Sequence, residues 1–225
     1  PFLEHLRAID EYIQSAAHLT KQLLGFARGG KYEVQPTDMN DLIRSSADMF
    51  GRTRKELTIQ TQFNKSNISA EVDRRQIEQV LLNLYVNAWQ AMPEGGILRI
   101  ETDIESSEND NCIPYQLEHD RYAHISVTDT GIGMNQETIQ RIFDPFFTTK
   151  EKTRGTGLGL ASSYGIIKNH GGFINAHSRL GSGSTFDIYL PITDKTAAES
   201  FLSKPTVSKG KETILLVDDE DMIID

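Results

Sequence analysis

Cysteine, tryptophan and long apolar runs are nearly missing from this chain. Cys112 is the single cysteine among 225 residues. No intrachain disulfide can form, and a reducing, cytoplasmic location is expected. Cys112 sits in a polar stretch and reads as an incidental thiol. No apolar run approaches the ~18 residues that cross a bilayer, so no membrane partner is expected of this segment. A secretory leader is not recognisable, and the chain opens on Pro1 and Phe2 without an initiator methionine. It reads as an excised piece whose parent could carry a membrane anchor upstream. Basic residues are in deficit, 23 against 32 acidic ones, for a net charge of −9. Nucleic acid is therefore not expected as a partner, because such binding rests on cationic patches. The remaining composition, 38% hydrophobic and 24% charged, is that of an ordinary soluble chain with one or two cores.

Periodicity supplies the elements. Over residues 2–28, Phe2, Leu6, Ile9, Ile13, Ala16, Thr20, Leu23 and Ala27 step by fours and threes. This predicts one long helix with a heptad-like seam, ended by Gly29-Gly30. Its stripe needs a partner, either a helix from another chain or from sequence outside this one, or the adjoining domain. Pro36 to Asn40 reads as a turn, with Asp38 or Asn40 capping a helix through Phe50. Leu57 to Phe63 alternates as a strand, and Ile68 to Val72 is a shorter one. Asp73 caps a helix through Met92 that faces Ile77, Val80, Leu81, Leu84 and Ala88 inward. Strands are expected at 97–104, 124–128, 173–177 and 185–190, with a long polar loop over 105–120. Helices are expected at 135–143 and 158–169, and Gly181-Ser-Gly183 is a turn. Strands and helices mix without regular βαβ alternation. The fold class is therefore α+β, a two-layer sandwich preceded by a long helix.

Three short polar patterns carry the chemistry. Asn83 and Asn87 lie one turn apart in an apolar helix, so both amides project from one face. Such amides either bond across the core or offer hard oxygens to a metal ion. Asp129-Thr-Gly131-Ile-Gly133 follows a strand. The glycines permit a tight turn, and the carboxylate is either a local turn acceptor or a partner for an exocyclic amine such as that of adenine. Gly155-Thr-Gly157-Leu158-Gly159-Leu160 opens a helix whose N-terminus could present N–H groups to phosphate. It follows no strand and lacks the Gly-Lys-Ser/Thr of a P-loop, so dinucleotide and P-loop readings fail. Upstream, Phe143-Asp-Pro-Phe-Phe147-Thr-Thr-Lys150 leads into a charged stretch. Lys150, Lys152 and Arg154 could reach anionic oxygens, and Phe143, Phe146 and Phe147 could anchor a lid. In the blander reading these aromatics are core and the cations are solvated.

In that order and spacing, Asn-x-x-x-Asn-Ala-x-x-Ala (83–91), Asp-Thr-Gly-Ile-Gly (129–133), the Phe-Asp-Pro-Phe-Phe-Thr-Thr-Lys run (143–150) and Gly-Thr-Gly-Leu-Gly-Leu (155–160) resemble the ATP boxes of sensor histidine kinases. These belong to the Bergerat-fold (GHKL) superfamily that also holds gyrase and MutL. Gln79 to Leu84 and Ala91 to Gly96 resemble the nitrogen-regulation branch. The resemblance covers residues 36–192 and implies a mixed sheet with helices on one face and a site for ATP and Mg²⁺. It implies that Asn87 ligates the metal, with Asn83 beside it in a catalytic role. Asp129 would bind the adenine amine, with Thr185 nearby, and Gly131 and Gly133 would line that pocket. Phe143, Phe147, Lys150 and Arg154 would belong to the lid. Lys150 would contact phosphate, and Gly155, Gly157, Leu158 and Gly159 would cradle it.

The flanks extend the resemblance. Residues 1–30 are similar to the second helix of a dimerisation and histidine-phosphotransfer hairpin. Residues 193–211 read as a linker. Ile214-Leu-Leu-Val-Asp-Asp-Glu220 is similar to the start of a receiver domain (212–225), which implies a hybrid parent. A second kinase protomer and a receiver domain or response regulator would be partners. Departures from the family pattern are equally informative. Neither His5 nor His18 is followed by an acidic residue, so the phosphoacceptor is expected upstream and this chain is not expected to autophosphorylate. Gln90 stands where many relatives carry a basic residue. Asn83 stands where hydrolytic relatives carry a water-activating Glu, which favours transfer over hydrolysis. The alternatives are a gyrase-like ATPase and a degenerate nucleotide-binding or phosphatase module.

Overall fold

The computed structural model describes residues 33–106, 119–150 and 156–194. The helix expected over 2–28, the receiver-like end at 212–225, Cys112, Lys152, Arg154 and Gly155 lie outside the described residues, as do most of the linker and of the 105–120 loop.

The described chain begins with strand β1 (Gln35–Asp38), helix α1 (Met39–Thr53) and strands β2 (Leu57–Gln62) and β3 (Ser69–Val72). Helix α2 (Arg74–Ala91) follows, then strands β4 (Gly96–Ser106) and β5 (Arg121–Asp129). Helices α3 (Gln136–Ile139) and α4 (Gly159–Asn169) precede strands β6 (Phe173–Ser178) and β7 (Ser184–Pro191). The main sheet runs β2-β4-β5-β7-β6. Only β2 and β4 pair in parallel, and the chain between them includes α2. The fold is thus the expected α+β sandwich with a mixed sheet.

Helix starts follow the predicted caps. The Asp38 carboxylate accepts the Asp41 N–H at 3.0 Å. The Asp73 carboxylate accepts the N–H groups of Arg75 and Gln76 at 3.0 and 3.3 Å. Each such cap contributes about 1 kcal/mol. The far end of α4 meets the start of α2 through His170. Its Nε2 accepts the Asp73 N–H at 3.0 Å while Nδ1 donates to the Ile166 carbonyl at 2.8 Å, which fixes the tautomer.

Period-two burial puts one face of the sheet against the helices. Leu98, Ile100, Ile125, Val127, Phe186 and Ile188 point inward, while Arg99 and Asp103 are exposed. From α2 come Ile77, Val80, Leu81, Leu84 and Ala88, together with Tyr85. The Tyr85 hydroxyl is buried 3.3 Å from Ser46 Oγ, and burial pushes its pKa up to about 12. Helix α2 lies centrally, with α1 and α4 packed against it.

Three expectations need correction. Of the segment expected as a turn at Pro36 to Asn40, Pro36 to Asp38 lie in β1, paired antiparallel with β3 in a separate two-stranded ribbon, and Met39 and Asn40 open α1. A proline is tolerated there because the ribbon has a free edge. The helix expected over 135–143 stops at Ile139. Pro145 disfavours helical geometry at Asp144, and tight turns from Thr138 to Asp144 bury Ile142 instead. Helix α1 continues past Phe50 to Thr53.

Candidate functional site

Asn83, Asn87 and Ala91 repeat every fourth residue along α2 and so form one stripe, about 12 Å long at the helical rise per residue. Each meets a different sequence motif. Asn83 Nδ2 donates to the Gly159 carbonyl at 3.1 Å and to Ser163 Oγ at 3.3 Å. Asn87 Oδ1 accepts from the Lys150 ammonium at 3.1 Å. The Ala91 carbonyl accepts the Ile132 N–H at 3.0 Å. One helix face therefore gathers the glycine-rich helix start, the lid lysine and the Asp129-Gly131 turn.

At the Ala91 end, Asp129 is 4% exposed. Burial raises its pKa, opposed by hydrogen bonds from the Gly131 N–H and from Ser184. The Gly131 N–H lies 2.8 Å from Asp129 Oδ1. A Cβ at Gly131 would stand 2.6 Å from the Ala91 carbonyl, so only glycine lets this turn approach α2. Gly133 has φ +66°, and a Cβ there would lie 2.1 Å from the Arg179 carbonyl. These glycines shape the pocket wall by packing it against α2 and the β6–β7 turn.

At the Asn83 end, Gly157 has φ +67°, and its carbonyl accepts the Phe146 N–H at 3.0 Å. A Cβ on Gly157 would sit 2.4 Å from the Phe146 carbonyl carbon. Phe146 itself has φ 66° and is 64% exposed, so its side chain is no anchor. Phe143 and Phe147 do pack on the core. Phe143 lies 5.5 Å from the Tyr164 ring, and Arg141 covers Phe147 at 4.5 Å. They fix the 143–147 segment to the core. Leu158, at the N-cap of α4, makes no side-chain cap bond, so the first-turn N–H groups remain suited to an anion. Gly159 has the Asn83 amide 3.7 Å from where its Cβ would be.

Thr185 is not beside Asp129. In the β5–β7 register Thr185 faces Thr128, and their hydroxyls lie 3.0 Å apart. Asp129 is instead opposite Ser184. Phe186 and Ile188 point inward, so alternation puts Ser184 on the helix-facing side and Thr185 on the other. The sequence pattern of β7 already held that signal. Gln90, Ser163 and Ser184 were not predicted as site residues. Gln90 accepts the Lys150 ammonium together with Asn87. Burial lowers the Lys150 pKa.

The donor set fits a magnesium ion that arrives with phosphate. The Asn87 amide oxygen already accepts from one cation, the Lys150 ammonium. Amide oxygens are hard donors, and Mg²⁺ takes few protein ligands and completes its shell with phosphate and water. Among the described residues no cluster of three His, Cys, Asp or Glu could hold a metal alone. No helix among them is long and apolar enough to cross a membrane.

A model of the histidine kinase-, DNA gyrase B- and HSP90-like ATPase family matches residues 72–194. The sensor kinase CckA of Brucella abortus (strain 2308) is 36% identical over 234 aligned residues, covering 99% of this chain but 25% of its own length. The chain thus spans about a quarter of that relative. The nucleotide-free catalytic domain of histidine kinase ThkA superposes with a TM-score of 0.57 at 31% identity, covering 71% of this chain and 95% of that domain. A second ThkA structure, in complex with the response regulator TrrA, has a TM-score of 0.63 at 25% identity and covers 84% of this chain and 51% of ThkA. With boxes, fold and relatives in agreement, the chain belongs to the histidine kinase-, DNA gyrase B- and HSP90-like ATPase family and carries the ATP-binding catalytic domain of a sensor histidine kinase.

Proposed function

We propose that this domain binds Mg·ATP along the 83–87–91 stripe and donates the γ-phosphoryl group to a histidine outside this sequence. The supporting observation is the convergence of Gly159, Lys150 and Gly131 on that single face of α2. Asp129 would accept the exocyclic amine of adenine, with Ser184 holding its carboxylate. Asn87 would ligate the metal, and Asn83 would keep the phosphate cradle in place. Lys150, the first turn of α4 and, beyond the described residues, Arg154 and Gly155 would meet the phosphates. Asn87 would hold a magnesium ion there, which would supply positive charge to offset that of the phosphates. Catalysis by this domain is then mostly positioning and charge neutralisation.

The parent protein would work as a homodimer whose hairpin includes residues 2–28. It would pass its phosphoryl group to a receiver domain or response regulator, of which residues 212–225 are the start in a hybrid arrangement. The ThkA–TrrA complex supports that partner class. The lone cysteine supports a cytoplasmic setting.

Calorimetry with ATP and ADP, with and without Mg²⁺, tests the reading. Magnesium-dependent binding that is lost in Asn87→Ala and Asp129→Ala is expected. No binding at millimolar nucleotide would overturn it. Incubation with labelled ATP should leave His5 and His18 unphosphorylated, and acid-labile phosphate on either would refute an upstream acceptor.

A further inference from the structure

Among the described residues, only neutral groups bind the Lys150 ammonium. Its partners are the side-chain oxygens of Asn87 and Gln90, and no ion pair to it occurs among the described residues. Burial has taken part of its hydration, and the two amide dipoles replace it. Gln90 and Asn87 lie three positions apart on α2, near neighbours on the helix surface, so they form a two-armed seat. A neutral seat suits a transient occupant. A carboxylate would hold the ammonium against any incoming phosphate, whereas amides release it to a stronger anionic partner.

One of those arms is the proposed metal ligand. A divalent cation on Asn87 Oδ1 would approach within about 2.1 Å of the oxygen, while the ammonium lies 3.1 Å from the same atom. Two positive charges that close repel strongly in a half-buried site. The lysine and the metal are therefore alternative occupants of one oxygen.

On the basis of the proposed function, we infer that Gln90 is a positioning residue that parks the Lys150 ammonium on the metal-ligating amide of Asn87 in the nucleotide-free domain, so that Mg²⁺ enters only by displacing it. The displaced lysine is then free to meet phosphate. Gln90 thus sets the magnesium concentration at which the site fills, without touching nucleotide itself.

A double-mutant cycle tests this. ADP binding to the whole chain is measured by calorimetry over a magnesium series, and the half-saturating Mg²⁺ concentration is read. Gln90 is exposed and helical, so Gln90→Leu should fold, which thermal melting verifies. Gln90→Leu should lower the half-saturating Mg²⁺ concentration by roughly tenfold, the worth of one hydrogen bond from a charged donor. In the Lys150→Met background, Gln90→Leu should have no further effect, because there is no ammonium left to position. Gln90→Leu acting equally in both backgrounds, or in neither, would overturn the inference while leaving nucleotide binding intact. Wild-type protein that takes up no ADP at any magnesium concentration would instead overturn the proposed function, and the inference with it.

Discussion

Asn83 donates its side-chain amide to the main-chain carbonyl of Gly159 at 3.1 Å, tying the middle of α2 to the first residue of α4. Asn83→Ala removes this tie and the contact with Ser163, and it should destabilise the domain by about 1–2 kcal/mol. The urea midpoint should fall accordingly. Asn83→Asp should be worse, since a carboxylate would then face the Gly159 carbonyl. An unchanged midpoint in both variants would show that the tie carries no stability.

Asp129→Asn should separate stability from binding. Burial raises the Asp129 pKa, so folding favours the protonated acid. For a carboxyl shifted upward, stability is lost as pH rises from the ordinary carboxyl range through the raised value. At pH 7 the buried charge therefore costs stability, and Asp129→Asn should melt higher than wild type. That advantage should shrink as pH falls into the ordinary carboxyl range and Asp129 takes up its proton. ADP affinity at pH 7 should fall about tenfold or more. A thermal shift that is constant between pH 4 and 7 would contradict this account.

Glycines in the β6–β7 turn and packed against it offer a graded series. A Cβ at Gly183 would lie 1.9 Å from the Asp129 carbonyl, and one at Gly133 2.1 Å from that of Arg179. Alanine at either position should cost more than about 3 kcal/mol. Gly181 has φ +79° but open space around it. Gly181→Ala should therefore cost only the backbone penalty of about 1 kcal/mol. Equal losses at all three positions in urea unfolding would mean that backbone angle, not contact, dominates.

Ser184→Ala and Thr185→Ala should diverge. Ser184 bonds the Asp129 carboxylate from the opposite strand. Its loss should weaken ADP binding several-fold and raise the Asp129 pKa further. Thr185 bonds only the Thr128 hydroxyl, so its replacement should cost under about 1 kcal/mol and leave binding alone. Calorimetric Kd values for the two variants decide between these assignments.

Local chemistry was legible in the sequence wherever it acts within a turn or two. Asp73 caps the helix it is expected to cap and Asp38, one of two candidates with Asn40, caps α1, because an N-cap reads only its next three residues. The inward positions of α2 followed from the helical period. Contacts between distant segments were not legible. Strand β1 exists because residues 35–38 find 69–72, and nothing within Gln35-Pro-Thr-Asp38 announces that partner. The Gln90–Lys150 contact bridges 60 positions, and a lone glutamine carries no sign of what it will meet. Thr185 was misplaced by one residue, which in a strand means the opposite face. The pattern Phe186-Asp-Ile188-Tyr-Leu190 could have corrected it.

Because Gly159, Lys150 and the Asp129-Gly131 turn all bond α2 at intervals of one turn, that helix would act as the gauge of the proposed nucleotide site. Inserting a single residue between Asn83 and Asn87 would rotate everything beyond it by roughly 100°. The calibration between purine and phosphate ends would be lost at a stroke, although every contacting side chain would still be present. On the proposed reading, the distance between the ends of the ligand would thus be written in helical pitch, and the loops around it could vary so long as that pitch did not.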